Sequence, residues 1–293
     1  MAGTERIARL GRPKRIWAIP AIHGAVDRLT ALHTDLADWF QAGDRIVYLG
    51  NMIGQRDESG QDTIATINEL LRFRREMMAK PAIFSTDLVY LRGAQEEIWH
   101  RLLQLQFAAA PSDVLEWMLS HGAAPLVTAY GSDIHAGRNA ARCGAQAITR
   151  WTNGLRQSIA RHDGHRPLLS AIQRAAVTEY PHVKGLNTVL VSAGICPTTP
   201  LEEQAETLWF GGQRFDQLDA PVHGYGRIVR GWRPRRGLGE QVFQPEIGKV
   251  TACLDGGKTL NLAVIGPDGK IEIAGQYQSV AAIQEQSVGQ LTA

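Results

Sequence analysis

Three segments of the sequence share one pattern, and this repetition constrains the fold more than any other feature. Each segment is a run rich in β-branched residues, then a short turn containing glycine, then a helical pattern. The segments are IWAIPAIHGAVDRL (16–29), RIVYLGNMIGQRDES (45–59) and LVYLRGAQEEIW (88–99). Strands that alternate with helices in this way predict parallel pairing at the start of a sheet. The three turns then lie at the carboxyl ends of the strands, where open α/β sheets bind ligands.

The remainder of the chain predicts an insertion and a second group of strands. From Pro111 to about Pro181, helical segments broken by glycines predict a mostly helical insertion, 111–181. Strands are predicted again at 188–192, 227–229, 250–253 and 260–265. The dipeptide Asp268-Gly269 within LNLAVIGPDGKIEIAG predicts a hairpin turn. We therefore expect one domain over 1–275 that includes the insertion, followed by a polar tail over 276–293.

Composition narrows the classes of partner. Charged residues make up 20% of the 293 residues and the formal net charge is +2, which argues against nucleic acid or an anionic membrane as the main partner. No apolar stretch is long enough to span a bilayer. The three cysteines (Cys143, Cys196 and Cys253) are far apart and form no CxxC pair, which predicts a reducing cytoplasmic location rather than a disulfide framework.

Five motifs, taken in order, resemble those of the calcineurin-like metallophosphoesterases. The closest likeness is to the phosphoprotein phosphatase branch, which includes bacterial serine/threonine phosphatases and diadenosine tetraphosphatases. The motifs here are PAIHG (20–24), GNMIGQRDES (50–59), RGAQEE (92–97), VSAGICPTTPL (191–201) and RGWRP (230–234). The resemblance covers about residues 15–275. It implies an α/β fold of four layers, an α-β-β-α sandwich with two mixed sheets and helices on both outer faces.

The same resemblance points away from the family's chemistry. In the family, two aspartates, an asparagine and three histidines hold two metal ions that activate the attacking water. Carried over by position, these ligands become Ala21, His23, Asn51, Ala94, Ser192 and Trp232. Both carboxylates are lost, and hard divalent cations need carboxylates to offset their charge. We therefore expect no metal and no other cofactor.

The catalytic groups around the metals are also replaced. The family's proton donor corresponds to Gln95, which cannot transfer a proton near pH 7. The aspartate that orients the donor corresponds to Gly54, and the arginine that grips phosphate corresponds to Gln55. No catalytic residue is therefore predicted.

Five residues remain as candidates for ligand binding in the degenerate site. His23 is a ligand-binding residue or a turn histidine satisfied locally, and Asn51 is a weak metal ligand or a turn-stabilising residue. Arg92 holds a phosphate group or forms a salt bridge to Glu96 or Glu97. Gln95 lines the site, and Trp232 either fills the former metal cavity or points outward as a stacking surface. Glu96 keeps the family's motif glutamate, whose role there is mainly structural.

These replacements predict a pseudo-phosphatase, a relative without activity that binds a phosphorylated ligand or a protein partner as a regulatory module. The alternative is a divergent phosphoric ester hydrolase, acting on phosphoproteins or dinucleoside polyphosphates. Such an enzyme would use a relocated site built from His23, Asn51, Asp57, Glu58 or the histidines of the insertion.

Overall fold

A computed structural model describes residues 7–54, 61–180, 187–212, 214–234 and 242–278. The predicted site positions Gln55, Asp57 and Glu58 lie outside these ranges, as does the part of the predicted tail that follows residue 278. Within the described ranges, no helix combines the length and the apolar character that crossing a bilayer requires.

The strands and α-helices alternate in the first third of the chain and then segregate. The strands are β1 (Ile7–Gly11), β2 (Ile16–Ile19), β3 (Arg45–Tyr48), β4 (Leu88–Tyr90), β5 (Ala175–Thr178), β6 (Thr188–Val191), β7 (Arg227–Arg230), β8 (Glu246–Ile247), β9 (Thr251–Cys253), β10 (Leu260–Ile265) and β11 (Ile271–Tyr277). The α-helices are α1 (Val26–Trp39), α2 (Gln61–Met78), α3 (Ala94–Leu102), α4 (Pro111–Met118), α5 (Ala124–Ala129), α6 (Ile134–Cys143), α7 (Ala145–Ala160), α8 (His165–Ser170) and α9 (Glu206–Phe210).

The first sheet contains the three strands of the repeated pattern. Its order is β11-β10-β2-β3-β4, and β2, β3 and β4 are parallel, which confirms the pairing predicted from the sequence. Strand β10 runs antiparallel to both β2 and β11. The β10–β11 connection is the predicted hairpin, and Gly269 in its turn has a φ of +77°, a left-handed conformation that glycine adopts without strain.

The second sheet has the order β1-β5-β6-β7-β9-β8. Strands β6, β7 and β9 are parallel, whereas β5 and β8 run antiparallel to their neighbours β6 and β9. Three of its strands, β1, β5 and β8, are not identified by the sequence patterns. β1 lies in the basic N-terminal segment, and β5 lies within the segment predicted to be mostly helical. The two pair with each other in parallel, Ile7 opposite Ala175, across a separation in sequence that a local pattern does not reveal.

The alternation of side chains along each strand builds four layers. Ala18 and Val47 face the second sheet and join a core between the sheets that also contains Leu190 and Val229. Trp17, Ile19, Ile46 and Tyr48 face the helices and pack with the apolar faces of α1 to α3 and of the helical segment α4 to α8. The outer face of the second sheet is covered by α9 and by short 3₁₀ turns, through Leu201, Leu208, Trp209 and Phe215. The molecule is therefore an α-β-β-α sandwich of two mixed sheets, as predicted.

Candidate functional site

The turns that follow β2 and β3 are bonded directly to each other. The backbone N–H groups of Ile22 and His23 both donate to the carbonyl oxygen of Asn51, at 3.0 and 2.8 Å. The N–H of Gly24 donates to the carbonyl oxygen of Met52 at 3.1 Å. The segments 20–24 and 50–54, which the sequence motifs single out, therefore form one unit at the edge of the sheet.

The turns that follow β6 and β7 join the same unit. The N–H of Ala21 donates to the carbonyl oxygen of Gly231 at 3.1 Å, which links the first sheet to the second. The N–H groups of Gly231 and Trp232 both donate to the carbonyl oxygen of Ser192, each at 3.0 Å. Four motifs thus meet at the carboxyl ends of β2, β3, β6 and β7. The fifth, which follows β4, joins them through a hydrogen bond between Gln95 and Asn51.

Asn51 lies at the centre of this arrangement. It is fully buried, and its φ of +52° is a left-handed conformation that asparagine tolerates better than most residues. Its side-chain oxygen Oδ1 accepts a hydrogen bond from the backbone N–H of Gln95 at 3.1 Å. Its side-chain nitrogen Nδ2 has no hydrogen-bond partner among the described residues. The amide oxygen, which is the atom that would coordinate a cation, is therefore already used to join two loops.

Glu96 holds the loops after β3 and β4 together with a single carboxylate. Its oxygens accept four backbone N–H groups: those of Asn51, Met52 and Gly93 at 2.8 Å each, and that of Ile53 at 3.1 Å. Complete burial raises the pKa of Glu96, and the backbone N–H donors partly offset this effect. The carboxylate has no exposed face left for a ligand, so its role is structural.

The loops are packed closely enough that two glycines are obligatory. A Cβ atom on Gly93 would lie 2.6 Å from Oδ1 of Asn51, and a Cβ on Gly50 would lie 2.6 Å from the backbone nitrogen of Gly93. Real Cβ atoms do not approach other heavy atoms this closely, and Gly50 also has a φ of +84°.

The side chain of Gln95 is enclosed between two loops. Its Nε2 donates to the carbonyl oxygen of His121 at 3.1 Å, and a Cβ on Gly122 would come within 2.8 Å of the same nitrogen. A Cβ on Gly54 would lie 2.5 Å from Oε1 of Gln95. No sequence pattern connects the segment around Gly122 with the site. Its only local signal is a glycine at a helix break, where φ is +105°.

His23 and Trp232 are neighbours across the site. Their ring centroids lie 6.2 Å apart with an interplanar angle of 70°, an edge-to-face contact. His23 is buried and its φ is +50°, whereas Trp232 is half-buried. The indole at the position of the family's last metal-binding histidine therefore lies beside the histidine that the sequence retains.

Arg92 is the candidate that the structure separates from the others. Its Nη1 pairs with Oε2 of Glu97 at 2.8 Å, and the guanidinium lies over the ring of Trp209 with its Cζ 5.9 Å from the centroid. Glu97 also accepts from Nε of Arg101 at 2.8 Å. The salt bridge predicted as the alternative to phosphate binding is therefore formed, with Glu97 rather than Glu96. No sequence pattern indicates the contact with Trp209.

The side chains assembled here do not fit a pair of divalent cations. Ala21 and Ala94 offer no donor atom, and the indole of Trp232 offers only an N–H. The oxygen of Asn51 accepts from Gln95, and the oxygens of Glu96 are filled by backbone N–H groups. In the described part of the chain, no three His, Cys, Asp or Glu side chains are grouped so as to hold a metal ion.

Comparisons with known proteins give only distant structural likenesses. No protein-family profile matches the chain, and no curated protein sequence matches it either. The fold is similar to that of a protein serine/threonine phosphatase from Saccharomyces cerevisiae with similarity to human phosphatase PP5, at 12% identity and a TM-score of 0.46. That match covers 94% of this chain and 84% of the other. A cold-active protein tyrosine phosphatase is similar at 14% identity and a TM-score of 0.38, over 94% and 85% of the two chains. Likenesses this remote assign neither a family nor an activity.

Proposed function

We propose that this protein is a pseudo-phosphatase: a chain with the calcineurin-like phosphoesterase architecture that lacks the two-metal centre and acts as a binding or regulatory module. The observation that carries the proposal is the hydrogen bond from the Gln95 N–H to the side-chain oxygen of Asn51. At this position the resemblance expects a carboxylate bridging two cations, and here a neutral amide bonds the protein's own backbone instead.

The neighbouring positions support the same proposal. Divalent cations at 3.5–4 Å separation, as in two-metal sites, repel each other strongly and are held only where several carboxylates or other anions balance their charge. Ala21 and Ala94 supply no charge, and the one buried carboxylate nearby, that of Glu96, is fully engaged by backbone N–H groups.

The loop backbone favours a protein partner over a phosphate group as the occupant of this surface. Phosphate binding without metal requires backbone N–H groups directed at the ligand. Here the N–H groups of Ile22, His23, Met52, Gly93 and Gln95 all donate to acceptors within the protein. Arg92 is committed to Glu97. A phosphorylated ligand would have to break these bonds, whereas a protein surface docking over the loops would not.

Metal content tests the proposal directly. The protein is expressed in medium supplemented with manganese, purified without chelator and examined by elemental analysis, and its thermal unfolding is followed with Mn²⁺ and with EDTA. We expect clearly substoichiometric metal and the same Tm under both conditions. Two ions per chain, or a Tm raised by Mn²⁺, would overturn the proposal.

Turnover of p-nitrophenyl phosphate distinguishes the pseudo-phosphatase from the alternative, a divergent phosphoesterase. Wild type and His23→Ala are purified in parallel and shown by circular dichroism to be folded. Equal residual turnover in both identifies a contaminating phosphatase and leaves the proposal standing. Metal-dependent turnover that is present in wild type and absent in His23→Ala supports the hydrolase instead.

A further inference from the structure

Helix α4 carries an exposed tryptophan at the centre of a small group of aromatic rings. Trp117 is 45% exposed, whereas tryptophans in folded proteins are highly buried on average. Its indole stacks on the imidazole of His121, with ring centroids 4.4 Å apart, and meets the ring of Phe210 edge to face at 6.4 Å. His121 is exposed and Phe210 is half-buried. Exposed aromatic side chains of this kind are enriched where proteins bind one another.

A broad concavity of about 340 Å³ lies beside the indole, between α3 and α4. It is lined by Arg101, Asp113, Val114, Trp117 and Met118. Phe210 of α9 adjoins it, because Cζ of Arg101 lies 6.0 Å from the centroid of the Phe210 ring. We call the five lining residues, together with His121 and Phe210, the Trp117 surface. It is open to solvent, so it offers the face of a ring to a ligand rather than a deep pocket.

The uncompensated charge in the concavity is negative. The guanidinium of Arg101 pairs with Glu97 at 2.8 Å and with Glu206 at 2.9 Å, so its charge is balanced. Asp113 is exposed, and it has no hydrogen-bond or ion-pair partner among the described residues. It lies in the first turn of α4, where its charge also stabilises the helix. A partner that complements this surface therefore brings a cation to Asp113.

The Trp117 surface is continuous with the loops that replace the two-metal centre. The carbonyl oxygen of His121 accepts a hydrogen bond from Nε2 of Gln95 at 3.1 Å. Phe210 is followed by Gly211, where a Cβ would lie 2.7 Å from Cγ of Pro234 in the motif RGWRP. A protein docked over the motif loops can therefore extend onto the Trp117 surface.

We propose that the Trp117 surface binds a basic, proline-rich segment of a partner protein, which names the partner of the regulatory module and so rests on the proposed function. Proline rings of the segment pack on the face of the indole, and a lysine or arginine beside them pairs with Asp113. Proline-rich segments hold the polyproline II conformation before they bind, so they lose little conformational entropy on exposed aromatic side chains. An acidic segment is disfavoured, because its carboxylates would meet Asp113.

A phage-displayed library of random peptides tests the proposal without assuming a sequence. The library is selected on the immobilised full-length protein and depleted on Trp117→Ser, which circular dichroism has shown to be folded. We expect the enriched peptides to combine prolines with at least one lysine or arginine. A consensus that lacks either proline or a basic residue would overturn the proposal, as would the absence of any peptide that distinguishes the two proteins.

Calorimetry with the consensus peptide then tests the charge at Asp113. Asp113→Lys should weaken binding about tenfold and should prefer a version of the peptide in which glutamate replaces the basic residues. Asp38→Lys, at an exposed position on α1 outside the Trp117 surface, should keep the wild-type preference. An unchanged preference in Asp113→Lys, or the same change in both variants, would contradict the assignment.

The aromatic contact has its own control. Trp117→Ser should weaken binding of the consensus peptide at least about tenfold, and replacing the peptide's prolines by alanine should weaken it similarly. Phe84→Ser removes a phenylalanine that is 65% exposed and lies outside the Trp117 surface, so it should leave the affinity unchanged. Equal losses in Trp117→Ser and Phe84→Ser would contradict the location.

Two measurements on the same preparations separate the remaining outcomes. Wild type and Trp117→Ser should have the same sedimentation coefficient. A wild-type dimer that Trp117→Ser dissociates would mean that a second copy occupies this surface, and it would overturn the proposal. Elemental analysis distinguishes failure here from failure of the proposed function. Metal-free protein that selects no peptide overturns the docking surface alone, whereas metal-loaded protein that binds the peptide overturns the pseudo-phosphatase alone.

Discussion

The side chain of Asn51 is tied to the backbone of Gln95: its Oδ1 accepts the Gln95 N–H at 3.1 Å, which joins the turn after β3 to the start of α3, the helix that follows the parallel strand β4. The backbone N–H of Asn51 is in turn bonded to Glu96, one residue along, at 2.8 Å. A neutral amide can sit beside this buried carboxylate, whereas a second carboxylate would meet it without a cation to separate the two charges.

Asn51→Asp should therefore destabilise the protein although it changes only one atom. We expect a loss of about 3 kcal/mol at pH 7, because a buried carboxylate without a partner is costly. Burial and Glu96 raise the pKa of the new carboxylate above its unfolded value, so the deficit is full at pH 7 and shrinks as the pH falls through the folded pKa. Urea unfolding of wild type and Asn51→Asp at pH 7 and pH 5 measures the difference in their free energy of unfolding at each pH.

The matched control is Asn153→Asp, at an exposed position on α7, which should leave the free energy of unfolding nearly unchanged. Restoration of the stability of Asn51→Asp by Mn²⁺ would contradict the interpretation, since His23 and Ser192 are the only other ligand positions with a donor atom and neither supplies a carboxylate.

Gly93→Ala should distort the joined loops. The added Cβ would lie 2.6 Å from Oδ1 of Asn51 and still closer to its backbone nitrogen, and neither group can move without breaking the bonds to Gln95 and Glu96. We expect a loss of roughly 3 kcal/mol, at the upper end for an overpacked site.

Gly154→Ala is the control for Gly93→Ala, because it lies within α7 with no atom inside 4 Å of its added Cβ. It should stabilise the protein by about 1 kcal/mol through helix propensity. Equal midpoints of urea unfolding for the two variants would show that the loops are less rigid than the structure indicates.

Glu96→Gln replaces a carboxylate that accepts four backbone N–H groups with a side chain that has a single acceptor oxygen. The NH₂ group of the substituted side chain is itself a donor, and it would face backbone N–H groups that the carboxylate had accepted. The expected loss is roughly 3 kcal/mol, from unpaired buried donors. Glu76→Gln, which removes the exposed partner of Arg72 on α2, should cost about 0.5 kcal/mol or less. A similar small effect for both substitutions would mean that water replaces the Glu96 acceptors, contrary to its proposed structural role.

His165 should make the protein sensitive to mild acid. Burial, with a further contribution from His162, lowers the pKa of His165 to about 4. Its fully buried ring bonds the hydroxyl of Tyr130 at 2.8 Å and Oδ1 of Asn68 at 3.1 Å. Because the folded pKa lies below the unfolded one of about 6.5, the contribution to stability is complete above pH 6.5. It is lost as the pH falls toward 4, by about 3 kcal/mol at most.

The measurement is the free energy of unfolding of wild type and His165→Gln between pH 7 and pH 4. The variant should lose less stability over this interval than wild type does. His135→Gln, at an exposed position, should follow the wild-type curve. Parallel curves for wild type and His165→Gln would show that His165 does not titrate differently in the folded and unfolded states.

Much of the first sheet could be predicted from local patterns. The runs that became β2, β3 and β4 are short, apolar and followed by glycine turns, and the β10–β11 turn carries the Asp268-Gly269 signal. β5 was missed because its sequence, AAVT, is only four residues long and weak in β-formers. β1 was missed because only one of its five residues is buried. β1 is the edge strand beside β5, and β5 lies between β1 and β6, so the pairing of both strands depends on contacts distant in sequence.

The sequence by itself determined which chemical groups stand at the five strand ends: alanines, an amide, a hydroxyl and an indole where the resemblance expects metal ligands. Those identities are fixed residue by residue and need no coordinates. The tertiary structure decided how the groups are used, because hydrogen-bond partners come from distant parts of the chain. It bonds Asn51 to Gln95 and pairs Arg92 with Glu97.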